Sequence, residues 1–195
     1  MRVVNAEADQ PLLSATATGG LEDTAIPLDI SAALADLDGS ETLSAVTIAG
    51  VPAGAVLSAG TDNGDGTWTI GSDQLPGLTF TPPADQVDSI TLSISVTSTE
   101  ATNGSTATGT VVLNFNIEAV ADSPAVTAED ASGAEDSAIA LNVAAALGGP
   151  GATETLNALT ISGVPAGAVL SAGTDNGDGS WTLSPAQLPG LTITP

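Results

Sequence analysis

The chain has no cysteine, no histidine, no lysine and no tyrosine, and Arg2 is the single basic side chain among 195 residues. These absences remove the usual general bases, thiolate nucleophiles, Schiff-base amines and imidazole or thiolate zinc ligands. One arginine cannot neutralise enough phosphates to bind nucleic acid, and an anionic membrane surface repels the chain. No apolar run approaches the ~18 residues of a membrane-spanning helix. The N-terminal MRVVNAEADQ has no apolar segment of the secretory-signal kind. Without cysteine the fold must hold without disulfides, which leaves the compartment open. Aromatic residues are 2% of the chain: Trp68, Phe80, Phe115 and Trp181. The core therefore falls to Val, Ile, Leu, Ala and Thr, with ~1.5–3 kcal/mol for each fully buried Val or Leu.

What is present is acid. Asp and Glu number 23, for a formal net charge of −22, although only 12% of residues are charged and 42% are hydrophobic. That balance suits one or two domains with packed cores rather than a polyelectrolyte tail. Twenty-three carboxylates facing one cation cannot be neutralised by salt bridges. They are either spread out and hydrated or paired with a cation from outside the chain, most simply a divalent one.

The sequence repeats itself. Residues 50–82 read GVPAGAVLSAGTDNGDGTWTIGSDQLPGLTFTP, residues 163–195 read GVPAGAVLSAGTDNGDGSWTLSPAQLPGLTITP, and six of the 33 positions differ. The same offset of 113 carries LEDTAIPLDI (21–30) onto AEDSAIALNV (134–143) and ADQP (8–11) onto ADSP (121–124). The chain reads as a window on a tandem array cut out of phase. Residues 1–10 match the terminal strand of a preceding repeat, 11–123 form a complete repeat, and 124–195 begin another. The second repeat stops without counterparts of the last two strands, so it is expected to expose sheet edges, and to pair with another copy or fray.

Within a repeat the pattern is β. SITLSISVTST (89–99) alternates Ile90, Leu92, Ile94 and Val96 with polar residues, and 108–120 is rich in β-branched and apolar residues. Shorter runs fall at 12–18, 25–30, 43–49, 55–59, 67–70 and 78–81, separated by Gly, Pro, Asn and Asp at sandwich spacing. Asn63-Gly64 and Asn103-Gly104 predict hairpin turns, since both residue types tolerate positive φ. SAALAD (31–36) is at most one helical turn.

The acids are grouped. In the first repeat they lie at Glu22-Asp23, at Asp36-Leu37-Asp38-Gly39-Ser40-Glu41, at Asp62-Asn63-Gly64-Asp65, and at Asp85 and Asp88, with Asp9 and Asp122 at the repeat boundaries. Asp-x-Asp-Gly sets two carboxylates on one loop. About 5 Å apart in water they repel by roughly 0.8 kcal/mol, and by more when partly dehydrated. Ca²⁺ reverses that sign, because it takes six to eight oxygens from carboxylates, Asn side chains and carbonyls, whereas Mg²⁺ dehydrates reluctantly. The run is not an EF-hand loop; a solvated acidic turn is the plainer alternative. TDNGDG is read as a hairpin turn before an ion site, and Trp68 and Trp181 behind it as core anchors before a sugar platform. Asn103-Gly104-Ser105, formally a glycosylation sequon, is read as a turn. Isolated serines have no base beside them, and Asp85 with Asp88 has no cleft to serve, so no enzyme activity is expected.

The order ADxP…EDTAIPLDI…ALADLDGSE…GVPAGAVLSAGTDNGDGTW…LPGLTFTPP resembles the bacterial cadherin-like tandem repeats of giant secreted adhesins, the RTX type exported by type I secretion. The resemblance covers essentially the whole chain, although no RTX nonapeptide occurs in it. It implies all-β, Ig/cadherin-like antiparallel β-sandwich repeats strung end to end and rigidified by Ca²⁺. It implies a non-catalytic extender in cell adhesion and biofilm at the bacterial surface. The partners would be neighbouring repeats, and another domain would bind the adhesion target. Carried over by position, the metal ligands would be Asp9, Asp36 and Asp38 at the leading junction, and Glu22 and Asp122 at the trailing one, with Asp23 and Glu41 beside them. The second repeat departs from this pattern: Gly149-Pro150-Gly151-Ala152 stands where the first has Asp36-Leu37-Asp38-Gly39. Its junction near Asp122 is expected to bind Ca²⁺ more weakly. The alternatives are a carbohydrate- or protein-binding module, an accessory sandwich of a secreted enzyme, and acidity as an adaptation to high salt.

Overall fold

The computed structural model describes residues 6–86, 88–148 and 154–195. The Gly149–Ala152 segment lies outside them. Two compact units form, residues 1–120 and 121–195.

Among the described residues unit 1 has twelve strands: β1 (Leu12–Thr16), β2 (Gly20–Leu21), β3 (Ile26–Pro27), β4 (Asp29–Ala33), β5 (Glu41–Leu43), β6 (Val46–Ala49), β7 (Val56–Leu57), β8 (Thr61–Asp62), β9 (Thr67–Ile70), β10 (Thr79–Thr81), β11 (Ser89–Glu100) and β12 (Thr106–Glu118). The largest sheet runs β2-β12-β11-β6-β9-β8, with β5 also on β11; the facing strands are β3-β10-β7 and the pair β1-β4. All pairings are antiparallel except β2 with β12. The fold class is all-β, as the alternation predicts.

The period of two along β11 is complete. Ile90, Leu92, Ile94, Val96, Ser98 and Glu100 are all buried, and their neighbours are more exposed. Leu113, Phe115 and Ile117 of β12 bury the same face. Phe80 of β10 meets Phe115 edge-on across the two layers, with ring centroids 5.4 Å apart. Such edge contacts add to what area alone contributes, which matters in a core so poor in aromatics. The 25–30 run splits at Leu28, where the chain passes from β10 to β1 as partner while the Leu28 amide bonds the Leu78 carbonyl at 2.9 Å. The SAALAD segment corrects the expectation of a helical turn. Ser31 to Ala33 continue β4, because each of these residues has a partner on β1.

Both Asn-Gly turns are hairpins. Asn63–Gly66 joins β8 to β9, and Ala101–Ser105 joins β11 to β12. Gly60, at φ 96°, cannot be replaced freely, since an added Cβ would strike Ile70 and the Thr69 carbonyl.

Among the described residues unit 2 has eight strands: β13 (Ala125–Ala128), β14 (Ile139–Ala140), β15 (Val143–Ala146), β16 (Leu159–Ser162), β17 (Val169–Leu170), β18 (Thr174–Asp175), β19 (Ser180–Leu183) and β20 (Thr192–Thr194). They pair as β13-β15, β14-β20-β17 and β16-β19-β18. These are the pairings of unit 1 at the repeat offset, including the short 3-10 turns Ser72–Gln74 and Pro185–Gln187. The core is smaller: Leu170, Trp181, Leu183, Leu188 and Leu191.

Candidate metal centre

Buried acids of unit 1 lie where the chain leaves its sandwich and where it joins it. At the trailing end, Glu22 is buried at 6% exposure. Its amide donates to the Glu118 carbonyl at 3.0 Å, and one carboxylate oxygen accepts the Val120 amide at 2.6 Å. The other oxygen, Oε2, is buried without a hydrogen-bond partner. At the leading end, Glu41 is 8% exposed and accepts the Asp9 amide through Oε1, while its Oε2 is again buried and unpartnered. The two glutamates thus clasp the chain where it leaves and where it joins the sandwich. A buried anionic oxygen with nothing bonded to it is costly, and it is what a bound cation would satisfy.

Glu100 is the residue that the sequence reading misses. It is 3% exposed and lies directly opposite Glu41 in the β5–β11 register. Like charges facing each other across an antiparallel pair repel, and there is no basic side chain among the described residues. The signal was present in the sequence. Glu100 continues the inward row Ile90, Leu92, Ile94, Val96 and Ser98, so alternation alone places a carboxylate inside. The Thr102 hydroxyl and amide donate to Oε1 at 2.6 and 3.2 Å and hold the Glu100 carboxyl below its ordinary value of 4.5, while the charge of Asp38 opposes them.

Asp36 and Asp38 fold their loop on themselves. The Asp38 amide donates to Asp36 Oδ1 at 2.8 Å, and the Ser40 amide donates to Asp38 Oδ1 at 2.7 Å. Bonds from the Ser40 hydroxyl and amide lower the Asp38 pKa from its usual 3.8. Ser40 ties the loop to β11 through the Ala101 amide at 2.8 Å. The structure thus brings Asp38, Glu41 and Glu100 to one end of the sandwich, with the Asp9 backbone bonded to Glu41. Asp23 is exposed in a turn at φ 57°, a backbone region that Asp tolerates. In unit 2, Glu154 accepts the Asp122 amide at 2.6 Å and so repeats the Glu41–Asp9 clasp.

The donor set is all oxygen, which suits Ca²⁺, and the orphaned oxygens of Glu22 and Glu41 fit such an ion. Among the described residues, however, no three carboxylates converge at metal-holding distance. Backbone carbonyls and water would have to complete any shell. The TDNGDG carboxylates have local partners: Asp62 accepts the Gly64 amide at 2.8 Å, and Asp65 accepts the Thr67 hydroxyl at 2.6 Å. The same bonds recur at Asp175 and Asp178, so backbone geometry accounts for these acids. Trp68 and Trp181 are each 9% exposed and pack in the cores. No helix among the described residues is long and apolar enough to cross a membrane.

No family model matches the chain, and no curated protein does. Among solved structures, FdeC, a broadly conserved Escherichia coli adhesin eliciting protection against urinary tract infections, is similar at 16% identity and a TM-score of 0.30. That likeness covers 96% of this chain, and the chain spans 57% of the length of that structure. A score at this level fixes neither the function nor the arrangement of the units.

Proposed function

We infer that the chain is a non-catalytic extender segment of a large bacterial surface adhesin, made of tandem β-sandwich repeats that Ca²⁺ stiffens outside the cell. The observation that carries the reading is the pair of buried, unpartnered glutamate oxygens. Glu22 and Glu41 sit where the chain leaves and joins a repeat unit, in a protein with one basic side chain. The Glu41–Glu100 facing pair adds a second carboxylate at the leading end. An ion there would replace repulsion by attraction, draw the linker at Asp9 onto the sandwich, and stiffen the connection between successive repeats. Glu22, Asp36 and Asp38 supply further oxygens of the same kind, and Asp122 with Glu154 does so in unit 2. Weak sites of about 10⁻⁴–10⁻³ M suffice at extracellular calcium and stay vacant in the cytosol. The adhesion target would be bound elsewhere in the protein.

The test is calorimetric melting of the whole chain in low salt with EDTA, Mg²⁺ or Ca²⁺. Calcium at ten times its dissociation constant is expected to stabilise by ~1.4 kcal/mol, reversed by EDTA, with Mg²⁺ weaker. A midpoint that does not respond to Ca²⁺ overturns the reading.

A further inference from the structure

Among the described residues, the strand pairings of unit 2 match those of unit 1 except where β11 and β12 take part. In unit 1 the outer edge of β6 is taken by β11, with Ser93 opposite Ala49, Ile94 opposite Ile48 and Ser95 opposite Thr47. The counterpart of β6 is β16, which among the described residues pairs with β19 alone. Beside it lies a cavity of about 670 Å³ lined by Val126, Ala145, Leu147, Leu156 and Leu159 among others.

What belongs in that space is visible in the other copy. Two segments of unit 1 are strands only by virtue of the β11–β12 hairpin: β5 pairs with β11, and β2 pairs with β12. Their counterparts, 154–156 and 133–134, are described and are not strands. The side chains that face the hairpin tell the same story. Ile26, Val46, Ile48 and Phe80 are at most 1% exposed, whereas their counterparts Ile139, Leu159, Ile161 and Ile193 are half-buried. Residues that face away from it agree between copies: Leu57 and Leu170 are both 3% exposed, and Leu78 and Leu191 both 1%.

We propose that unit 2 is a strand acceptor, and that its occupant is a further β-hairpin with the β11–β12 pattern, supplied from outside the 195 residues and docked antiparallel on β16. A second copy of these 195 residues does not solve the problem by exchange. They carry two acceptor sheets and one such hairpin, so a swap moves the vacancy without filling it. The hairpin also needs its glycine. At Gly109 an added Cβ would lie 3.0 Å from the Pro11 carbonyl and 3.8 Å from Leu13. The counterparts of those residues, Pro124 and Val126, line the cavity. The inference does not depend on calcium.

The experiment adds a synthetic peptide of residues 83–120 to the whole chain and follows amide hydrogen exchange. The expected result is saturable one-to-one binding, with exchange at 159–162 slowed by about tenfold or more and new protection at 154–156. Peptides carrying I94D or G109V are expected not to protect. Absence of protection, or equal protection by those variants, overturns the proposal. So does a stable dimer of the chain alone with β16 already protected, since a second copy would then be the occupant. A chain extended past Pro195 by a second copy of 83–124 provides an arm free of peptide solubility. Protection at Ile161 is expected to rise to that at Ile48, and unchanged protection overturns the proposal as well.

Discussion

The two units share their turns, and differ in how far their cores close. Residues 50–82 and 163–195 give the same strands, the same 3-10 turn and the same carboxylate-capped hairpin, and their tryptophans are equally buried. Yet Ile48 is sealed and Ile161, the same residue in the same strand register opposite Trp, is half-buried. Local sequence sets the turns and short hairpins. The seal comes from the long hairpin of β11 and β12, which begins 41 residues beyond Ile48.

That comparison can be broken most directly by truncating one residue in both copies. I48A is expected to destabilise unit 1 by ~2–5 kcal/mol, whereas I161A, which removes a side chain already in contact with solvent, should cost less than half as much. Urea unfolding followed in W181F and W68F backgrounds separates the units. Equal costs would mean that unit 2 is as closed as unit 1.

The next effect tests the clasps. E41Q is expected to abolish most of the ~1.4 kcal/mol gained from Ca²⁺ at ten times its dissociation constant. E154Q should do less, because its counterpart cluster has no Asp-x-Asp loop. Calcium titration of the melting point decides this. E100Q sharpens the point: it removes one of the two facing carboxylates and should weaken the response to calcium. A third contrast is F80I, which gives unit 1 the residue of unit 2 and removes the edge contact with Phe115 at 5.4 Å. About 0.5–1.5 kcal/mol is expected to be lost, read in denaturant.

The smallest effect is in pH. The Glu100 carboxyl lies below its ordinary value of 4.5, first because of the Thr102 hydroxyl. A lowered folded value contributes stability that is present above pH 4.5 and is lost as pH falls through the lower folded value. T102V should flatten the fall in stability below pH 4.5 relative to the parent chain, and an unchanged profile would show that the hydroxyl bond contributes nothing.

Much of this was legible before any coordinates. The period of two over 89–99, the Asn-Gly turns and the 113-residue offset place the long hairpin, the short ones and the second copy. Asp9, Asp36, Asp38 and Glu41 read as acids at a boundary, and the carboxylates of Asp36, Asp38 and Glu41 accept the amides of Asp38, Ser40 and Asp9. What was not read was Glu100, because an acid at the end of an apolar row looks like the end of the strand rather than its last inward position. The 31–36 run was misjudged for a related reason. Its alanines favour a helix, but pairing of Ser31–Ala33 with β1 outweighs a propensity worth a few tenths of a kcal/mol per residue. The ligand set, for its part, depends on which carboxylate oxygens are left without donors, and spacing along a chain does not count donors.

The place of β12 has a consequence for how the repeat is made. Its last residues, Ile117 and Glu118, pair in parallel with Gly20 and Leu21, almost a hundred positions earlier. A chain synthesised or exported from its N-terminus therefore presents β1 to β10 before the two strands that cover them exist. Contacts this far apart in sequence form slowly, and a sheet edge waits open meanwhile. Until that hairpin docks, the strands it covers stay open, and that interval is when a wrong partner strand has the opportunity to pair.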